Sequence, residues 1–395
     1  MKPGKTLQEL AVELDRQNRT KKDYLVDTPA LAMSYDADPG RLTLNLNFGV
    51  GSDDMTTIRR MEVSDIAHRQ IGAHLGIPAR YYDKMRSDYP ELLSANVNGW
   101  FNRNPDKRMI RTLDGRARAY LSDRYRRIDN YEIAQTVLPI IGEIADVSVG
   151  SFELTDAKMY IKAVNPRLTA EVVPGDIVQA GIMVTNSETG QGAVSVQPII
   201  YRLICSNGMV AADYGQRRYH IGRGNENLFN AGQGNKKRYG NRYDNAGHGG
   251  DDCGDYEIFR DATIEADDKA FMMKIEDTVR AVVDQVRFDK LVGRLREAAG
   301  AKMETTNIPK IVELSARVHG LTQDEGDGVL QHLIRGGDLS LYGLANAVTR
   351  QSQDAESYDR ATELEAIGWN VATMSPALWR RINALENVTN QKYSS

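Results

Sequence analysis

Val178-Gln-Ala-Gly-Ile-Met-Val-Thr-Asn-Ser-Glu-Thr-Gly-Gln-Gly-Ala-Val-Ser-Val-Gln-Pro-Ile-Ile-Tyr-Arg-Leu-Ile-Cys-Ser-Asn-Gly-Met-Val-Ala-Ala212 is the stretch that decides the fold class. Three apolar runs, 178–186, 193–205 and 209–212, are separated by the turn-forming clusters 187–192 and Ser206-Asn-Gly208. Runs of this length, bounded by Gly, Asn and Ser, read as strands. Connections this short permit only antiparallel neighbours, because a parallel pair needs a crossover of about a dozen residues or more. Upstream, 117–120, 147–154 and 159–164 are further strand candidates, with turns at Asn165-Pro166 and Pro174-Gly-Asp176. Between the first two, Ile133, Val137, Ile140, Ile141 and Ile144 form the apolar stripe of a helix over 131–144. The expectation is an α+β fold, an antiparallel β-meander with covering helices, followed by a mostly helical C-terminal region.

Working outward, Leu7, Leu10, Ala11 and Leu14 at helical spacing predict an amphipathic helix near the N-terminus. Residues 41–48, Arg-Leu-Thr-Leu-Asn-Leu-Asn-Phe, alternate at period two as a half-buried strand does. From Ser64 to Met85 the pattern is helical with a break at Gly76-Ile-Pro78. That pair of short helices resembles a helix-turn-helix, although no amphipathic recognition helix follows and an ordinary packing element reads equally well. Residues 222–255 are rich in Gly and Asn with almost no core-forming residues, and read as a flexible basic loop. Beyond them Met272, Ile275, Val279, Val282, Val283 and Val286 mark one long helix, and 311–318 another. Thr322-Gln-Asp-Glu325 is a capping box opening a third, and 339–348 and 361–369 supply two more. The organisation expected is an N-terminal arm and first strand (1–60), an α+β core (61–221), the basic loop (222–255) and a helical region (256–395).

Composition narrows the class. In 395 residues, 41% hydrophobic and 26% charged content suits a globular protein with a sizeable core. No run approaches the ~18 apolar residues of a membrane span, and the start, Met1-Lys-Pro-Gly-Lys, has no apolar signal-peptide core, so the expected location is the cytoplasm and no membrane partner is expected. Cys205 and Cys253 are the two cysteines, too few for a disulfide framework.

The net charge is −4, yet its distribution is uneven. Residues 103–127 hold nine Lys/Arg against three Asp, and residues 214–243 hold seven against one Glu, a surplus of six in each. Such polarity is the footprint of phosphate binding on an otherwise acidic body. Aromatics interleave with both clusters, Trp100, Phe101, Tyr120, Tyr125 and Tyr131 with the first and Tyr214, Tyr219, Tyr239 and Tyr243 with the second. Single-strand binders use this mixture, cations tracking the backbone while aromatic faces stack on bases. The candidate binding residues are Arg111, Arg116, Arg118, Tyr120, Arg124, Tyr125, Arg126 and Arg127, then Arg217, Arg218, Tyr219, Lys236, Lys237, Arg238 and Tyr239. The competing reading makes the arginines of the first cluster structural ion-pair partners.

No catalytic, metal or cofactor site is legible. Asp156-Ala-Lys158 before an apolar strand resembles the end of a metal-dependent nuclease motif, but no upstream Pro-Asp stands at a suitable spacing. The glycines after Gly222 match neither a phosphate-binding loop nor a dinucleotide fingerprint, so ATP use is not expected. The six histidines show no zinc spacing.

Residues 184–196, Val-Thr-Asn-Ser-Glu-Thr-Gly-Gln-Gly-Ala-Val-Ser-Val, and 201–210, Tyr-Arg-Leu-Ile-Cys-Ser-Asn-Gly-Met-Val, resemble a phage- and plasmid-borne family known as domain of unknown function 932. Residues 341–350, Leu-Tyr-Gly-Leu-Ala-Asn-Ala-Val-Thr-Arg, and Tyr358-Asp-Arg-Ala361 extend the resemblance, which spans about residues 60 to 370. It implies a mobile-element protein and names no reaction; relative to the family, 222–255 looks like an insertion. The architecture is compatible, by analogy alone, with phage single-strand annealing proteins. The expectation is a binder rather than an enzyme: a single-stranded nucleic-acid-binding protein, DNA before RNA, extending to ATP-independent annealing as a homo-oligomer. The alternatives are a phage assembly protein and a nuclease relying on Asp156 and Lys158.

Overall fold

Helix α1 (Leu7–Thr20) begins where Thr6 and Glu9 close a reciprocal capping box, Glu9 accepting from the Thr6 backbone N–H at 2.7 Å, and it buries Leu10 and Leu14. In the computed structural model, residues 2–37, 40–50, 56–143, 148–204, 206–218, 261–282, 284–304 and 307–385 are described. After α1 come β1 (Lys22–Asp27), β2 (Leu31–Asp36), β3 (Arg41–Val50) and β4 (Thr56–Glu62). The hairpins β2–β3 and β3–β4 make one antiparallel sheet. The broken helical pattern of 64–85 resolves into α2 (Asp65–His74) and α3 (Ala79–Asp88), followed by α4 (Pro90–Arg103). Strands β5 (Lys107–Leu113) and β6 (Arg116–Ser122) join β1 in a second sheet ordered β1-β5-β6. A parallel bridge from Val63 to Ala117 ties the two sheets. One core unites them with the helices, through Leu44, Leu46, Met61, Ile71, Val97, Phe101 and Ile110. The boundary expected at residue 60 falls inside β4. The outer edge of β2 is blocked by a side chain: Asn98 of α4 accepts from Met33 N at 2.7 Å and donates to Met33 O at 2.8 Å, occupying the pairing groups another strand would seek.

The meander expected from the sequence is present. After α5 (Asn130–Glu143), strands β7 (Ser148–Leu154), β8 (Met159–Glu171), β9 (Ile177–Asn186), β10 (Val194–Arg202) and β11 (Asn207–Val210) pair antiparallel in chain order, and β12 (Gln216–Arg218) adds to β10. Alternation sorts the side chains: Ile161, Ala163, Ile182, Val184, Val194 and Val196 share a core with α1, α5 and the next helix, α6 (Asp261–Val282). Tyr160, Met183, Ile199 and Val210 instead meet Tyr358. Strand β10 ends at Arg202, short of the 193–205 run, so Leu203 and Ile204 fall in a turn; Cys205 lies outside the described residues.

The C-terminal region is helical: α7 (Gln285–Gly300), α8 (Ile308–His319), α9 (Gln323–Gly336), α10 (Leu341–Gln351), α11 (Tyr358–Ala372) and α12 (Pro376–Asn383). The long helix expected through 272–286 is two, because Asp284 accepts from Val286 N at 3.0 Å and caps α7. These helices bury Leu344, Leu364 and Trp369 against Val178, Ala180, Ile200 and Met209 of the meander. A fully buried ion pair, Lys162 Nζ to Glu365 Oε2 at 2.7 Å, links β8 to α11.

Candidate nucleic-acid interface

The first basic cluster is divided by strand geometry. Arg111 stands in β5, flanked by β1 and β6, and its guanidinium is fully buried. Its Nε lies 2.9 Å from Asp23 Oδ1, its Nη2 lies 2.5 Å from Asp129 Oδ1, and its Nη1 donates to Glu188 O at 3.2 Å. Burial alone would disfavour its charge, but Asp129 and Asp23 reverse this and hold its pKa above the usual arginine value. Arg118 sits 2.5 Å from Glu188 Oε2 with little exposed surface. Tyr120 is buried: its hydroxyl meets His74 Nδ1 at 2.9 Å, its ring stacks on Phe101, and the Arg108 guanidinium covers it at 5.7 Å. Arg111, Arg118 and Tyr120, taken from sequence as binding residues, are therefore interior groups, fixed by carboxylates and packing. Arg116 is exposed and only loosely placed, 3.4 Å from Glu62.

What connects these charges is the polar turn 187–192 between β9 and β10. Asn186, Ser187, Glu188 and Thr189 are all buried. Glu188 Oε1 accepts from Asn130 N at 2.6 Å, Ser187 Oγ donates to Ala157 O at 2.7 Å, and Gln70 Nε2 of α2 donates to Thr189 O at 2.7 Å. Tyr125 donates its hydroxyl to Ser187 O at 2.8 Å. Gly190 takes φ of 74°, a conformation that a side chain would strain. The turn is thus a joint between the meander and the N-terminal sheets.

The exposed part of the first cluster is the segment after β6. Arg124 and Arg127 face solvent, and among the described residues neither enters an ion pair. Arg126 between them is held by α6, Nη2 lying 2.9 Å from Asp267 and 2.5 Å from Asp268, with the guanidinium 4.7 Å over the Phe271 ring. These residues border a cleft of about 490 Å³ with Tyr24, Leu25 and Tyr125. A neighbouring cleft of about 580 Å³ between α5 and α6 shares Arg126, Arg127 and Asp268 with the first, and the two together are termed the groove. Arg59 of β4 stacks on Tyr24, 5.4 Å from the ring centre, and bonds its hydroxyl. Arg59 and Tyr24 were missed in sequence because they lie outside both basic runs; spacing gave no signal that the cleft brings Tyr24 to Arg124. The first cleft is balanced, its three arginines facing Asp23, Asp123 and Asp268.

The anchored end of the second cluster packs on α6, the helix that borders the groove. Arg217 is exposed on β12, and Arg218 ends that strand. Thr278 Oγ1 of α6 lies 3.2 Å from Gln216 Oε1, so one helix contacts both β12 and the arginine segment. Asp268 and Thr278 are ten residues apart, about 15 Å along the helix. Tyr219, Lys236, Lys237, Arg238 and Tyr239 lie outside the described residues, whereas Tyr214 packs edge-on against Trp369 at 6.2 Å. Asp156 and Lys158 line a polar cleft of about 260 Å³ with Arg116, Arg118 and Glu188. Among the described residues no group of three or more His, Cys, Asp or Glu could hold a metal ion. No helix is long and apolar enough to cross a membrane, among the described residues.

Residues 119–245 match the family model described as Domain of unknown function (DUF932), the family whose resemblance the 184–210 sequence carries. The match is narrower than the 60–370 span read from the resemblance, leaving out 341–361, and it runs into the Gly/Asn-rich stretch as far as residue 245. No curated protein and no solved structure matches the chain.

Proposed function

We propose that the chain binds single-stranded nucleic acid along the groove at residues 124–127, with Arg124 and Arg127 on phosphates and Tyr24 and Tyr125 offering aromatic surface to bases. The observation that carries this reading is the coupling through α6. That helix contacts the segment bearing the exposed arginines and also β12, the described strand that leads into the basic sequence. Because the first cleft alone is electrostatically balanced, the surplus cations of residues 217–242 supply most of the attraction, and the groove gives direction. DNA over RNA, annealing without ATP and a homo-oligomer presenting repeated grooves are the finer parts of the proposal.

Anisotropy with labelled single- and double-stranded oligonucleotides across a salt series, with and without Mg²⁺, tests it. Single strands should bind more tightly, with affinity falling steeply as salt rises, and Arg124→Glu with Arg127→Glu should weaken binding. Absence of binding at low salt would refute the proposal. A second reading, an assembly surface, is favoured by the exposed Tyr81, Tyr89, Leu92 and Trp100 of α3, α4 and their junction. It predicts salt-insensitive self-association instead.

A further inference from the structure

A second surface lies where the turn after β10 meets α9 and α10. Tight turns are ordinarily polar, yet Leu203 and Ile204 stand in this one, and Ile204 is 61% exposed. On α9, Leu333 faces the core while its neighbour Ile334 is 63% exposed; Leu339, before α10, is exposed too. Between the turn and the two helices runs a groove of about 430 Å³, with Ile204 and Leu333 in its walls. Three guanidinium groups line it, Arg202, Arg335 and Arg350, against the single carboxylate of Asp338, which faces Lys302 at 3.4 Å. Arg202 is fixed by Asp176, its Nε 2.7 Å from Oδ1, and Arg350 lies 3.4 Å from Asp354. Arg335 is exposed and, among the described residues, in no ion pair.

We infer that this groove docks an acidic peptide segment carrying apolar side chains, contributed by a partner protein. The exposed Ile204 rewards apolar side chains removed from water, and Arg335, the groove's guanidinium outside any ion pair among the described residues, selects carboxylates and rejects basic segments. A bare polyanion meets the arginines but leaves Ile204 in water. This surface is separate from the groove at 124–127 and does not depend on it.

The test uses the full chain and labelled synthetic peptides. One peptide has Leu and Ile at every third or fourth position among Asp and Glu. A second carries Lys in place of each acid, and a third Ser in place of each apolar residue. The first should bind and the others should fail. Ile204→Asp and Arg335→Glu should each weaken binding about tenfold or more; both positions are exposed, and melting curves confirm that the variants fold. Arg335→Glu should leave oligonucleotide affinity unchanged, so failure here is distinguishable from failure of nucleic-acid binding. The inference is overturned by no binding up to about 1 mM, by equal binding of the Ser peptide, by variants that bind like the parent, or by complete displacement with an oligonucleotide.

Discussion

Arg111→Met separates a structural arginine from a phosphate-binding one. The change removes the only positive charge in direct contact with both Asp23 and Asp129 among the described residues. Asp129 keeps Lys21, but Asp23 is left facing an apolar side chain within a largely buried setting. Breaking a buried pair by deleting one partner costs about 3–5 kcal/mol, since the remaining charge stays desolvated. At roughly 2.1 cal/mol/K of unfolding entropy per residue, that amounts to a drop of about 4–6 °C in Tm if all 395 residues melt together. Arg124→Ala and Arg127→Ala, at exposed positions, should stay within about 0.5 kcal/mol of the parent. Thermal melting followed by circular dichroism reads stability, and anisotropy with single-stranded oligonucleotide, taken well below Tm, reads binding. Arg111→Met should melt early and bind normally while folded. If it instead melts with the parent and loses binding, Arg111 contacts the ligand and the buried network is not what holds the two sheets to the meander.

Three further outcomes follow from named groups. The double variant Arg124→Ala with Arg127→Ala should flatten the plot of log affinity against log salt by about 1.4, at ~0.7 per phosphate contact on a single strand; an unchanged slope places the contacts elsewhere. Glu365→Gln should cost about 3–5 kcal/mol in urea unfolding, because Lys162 is as buried as its partner, whereas Lys162→Met combined with Glu365→Leu should cost far less. His68 sits beside Tyr82, its Nδ1 2.9 Å from the hydroxyl, and burial, aided by Arg86, lowers its pKa from 6.5 to about 3. The unfolded chain takes up this proton below 6.5 and the folded chain does not. Stability is therefore full above pH 6.5 and falls by about 1.4 kcal/mol per pH unit below it, down to the folded pKa. His68→Gln should remove that slope from the difference between melts at pH 7.5 and pH 5; an unchanged slope means that the folded state protonates His68 as readily as the unfolded one.

Several elements were legible because their signals are local. The Thr322/Glu325 box opens α9 as read, and the 178–212 meander has its expected partners. Elements that went unread had signals of another kind. The edge strand β1 is Lys-Asp-Tyr-Leu-Val-Asp, and the basic residues of β5 drew attention to charge, away from the strand they occupy. In α4 and α12 a proline stands at the first helical position, after Tyr89 and Ser375, a start signal available in the sequence.

The candidate site was harder for a different physical reason. A charged residue in sequence has no direction until its strand has neighbours on each side. Arg111 and Arg124 belong to one basic run, yet the first is in the middle of a three-stranded sheet and the second follows its last strand. The same holds for the turn 187–192, whose Ser, Glu, Thr and Gly composition reads as an exposed loop. Its first half, Ser187, Glu188 and Thr189, is buried because α2, β5, the first residue of α5 and the turn after β7 all converge on it and supply its hydrogen-bond partners, while 190–192 stay exposed. A motif of that kind is selected by three layers of structure that must meet at one joint. Its residues can therefore mark a family without touching a ligand, and function is better sought in charges that the joint leaves free, Arg124 and Arg127 on one side of the molecule's groove and Arg335 beside the other.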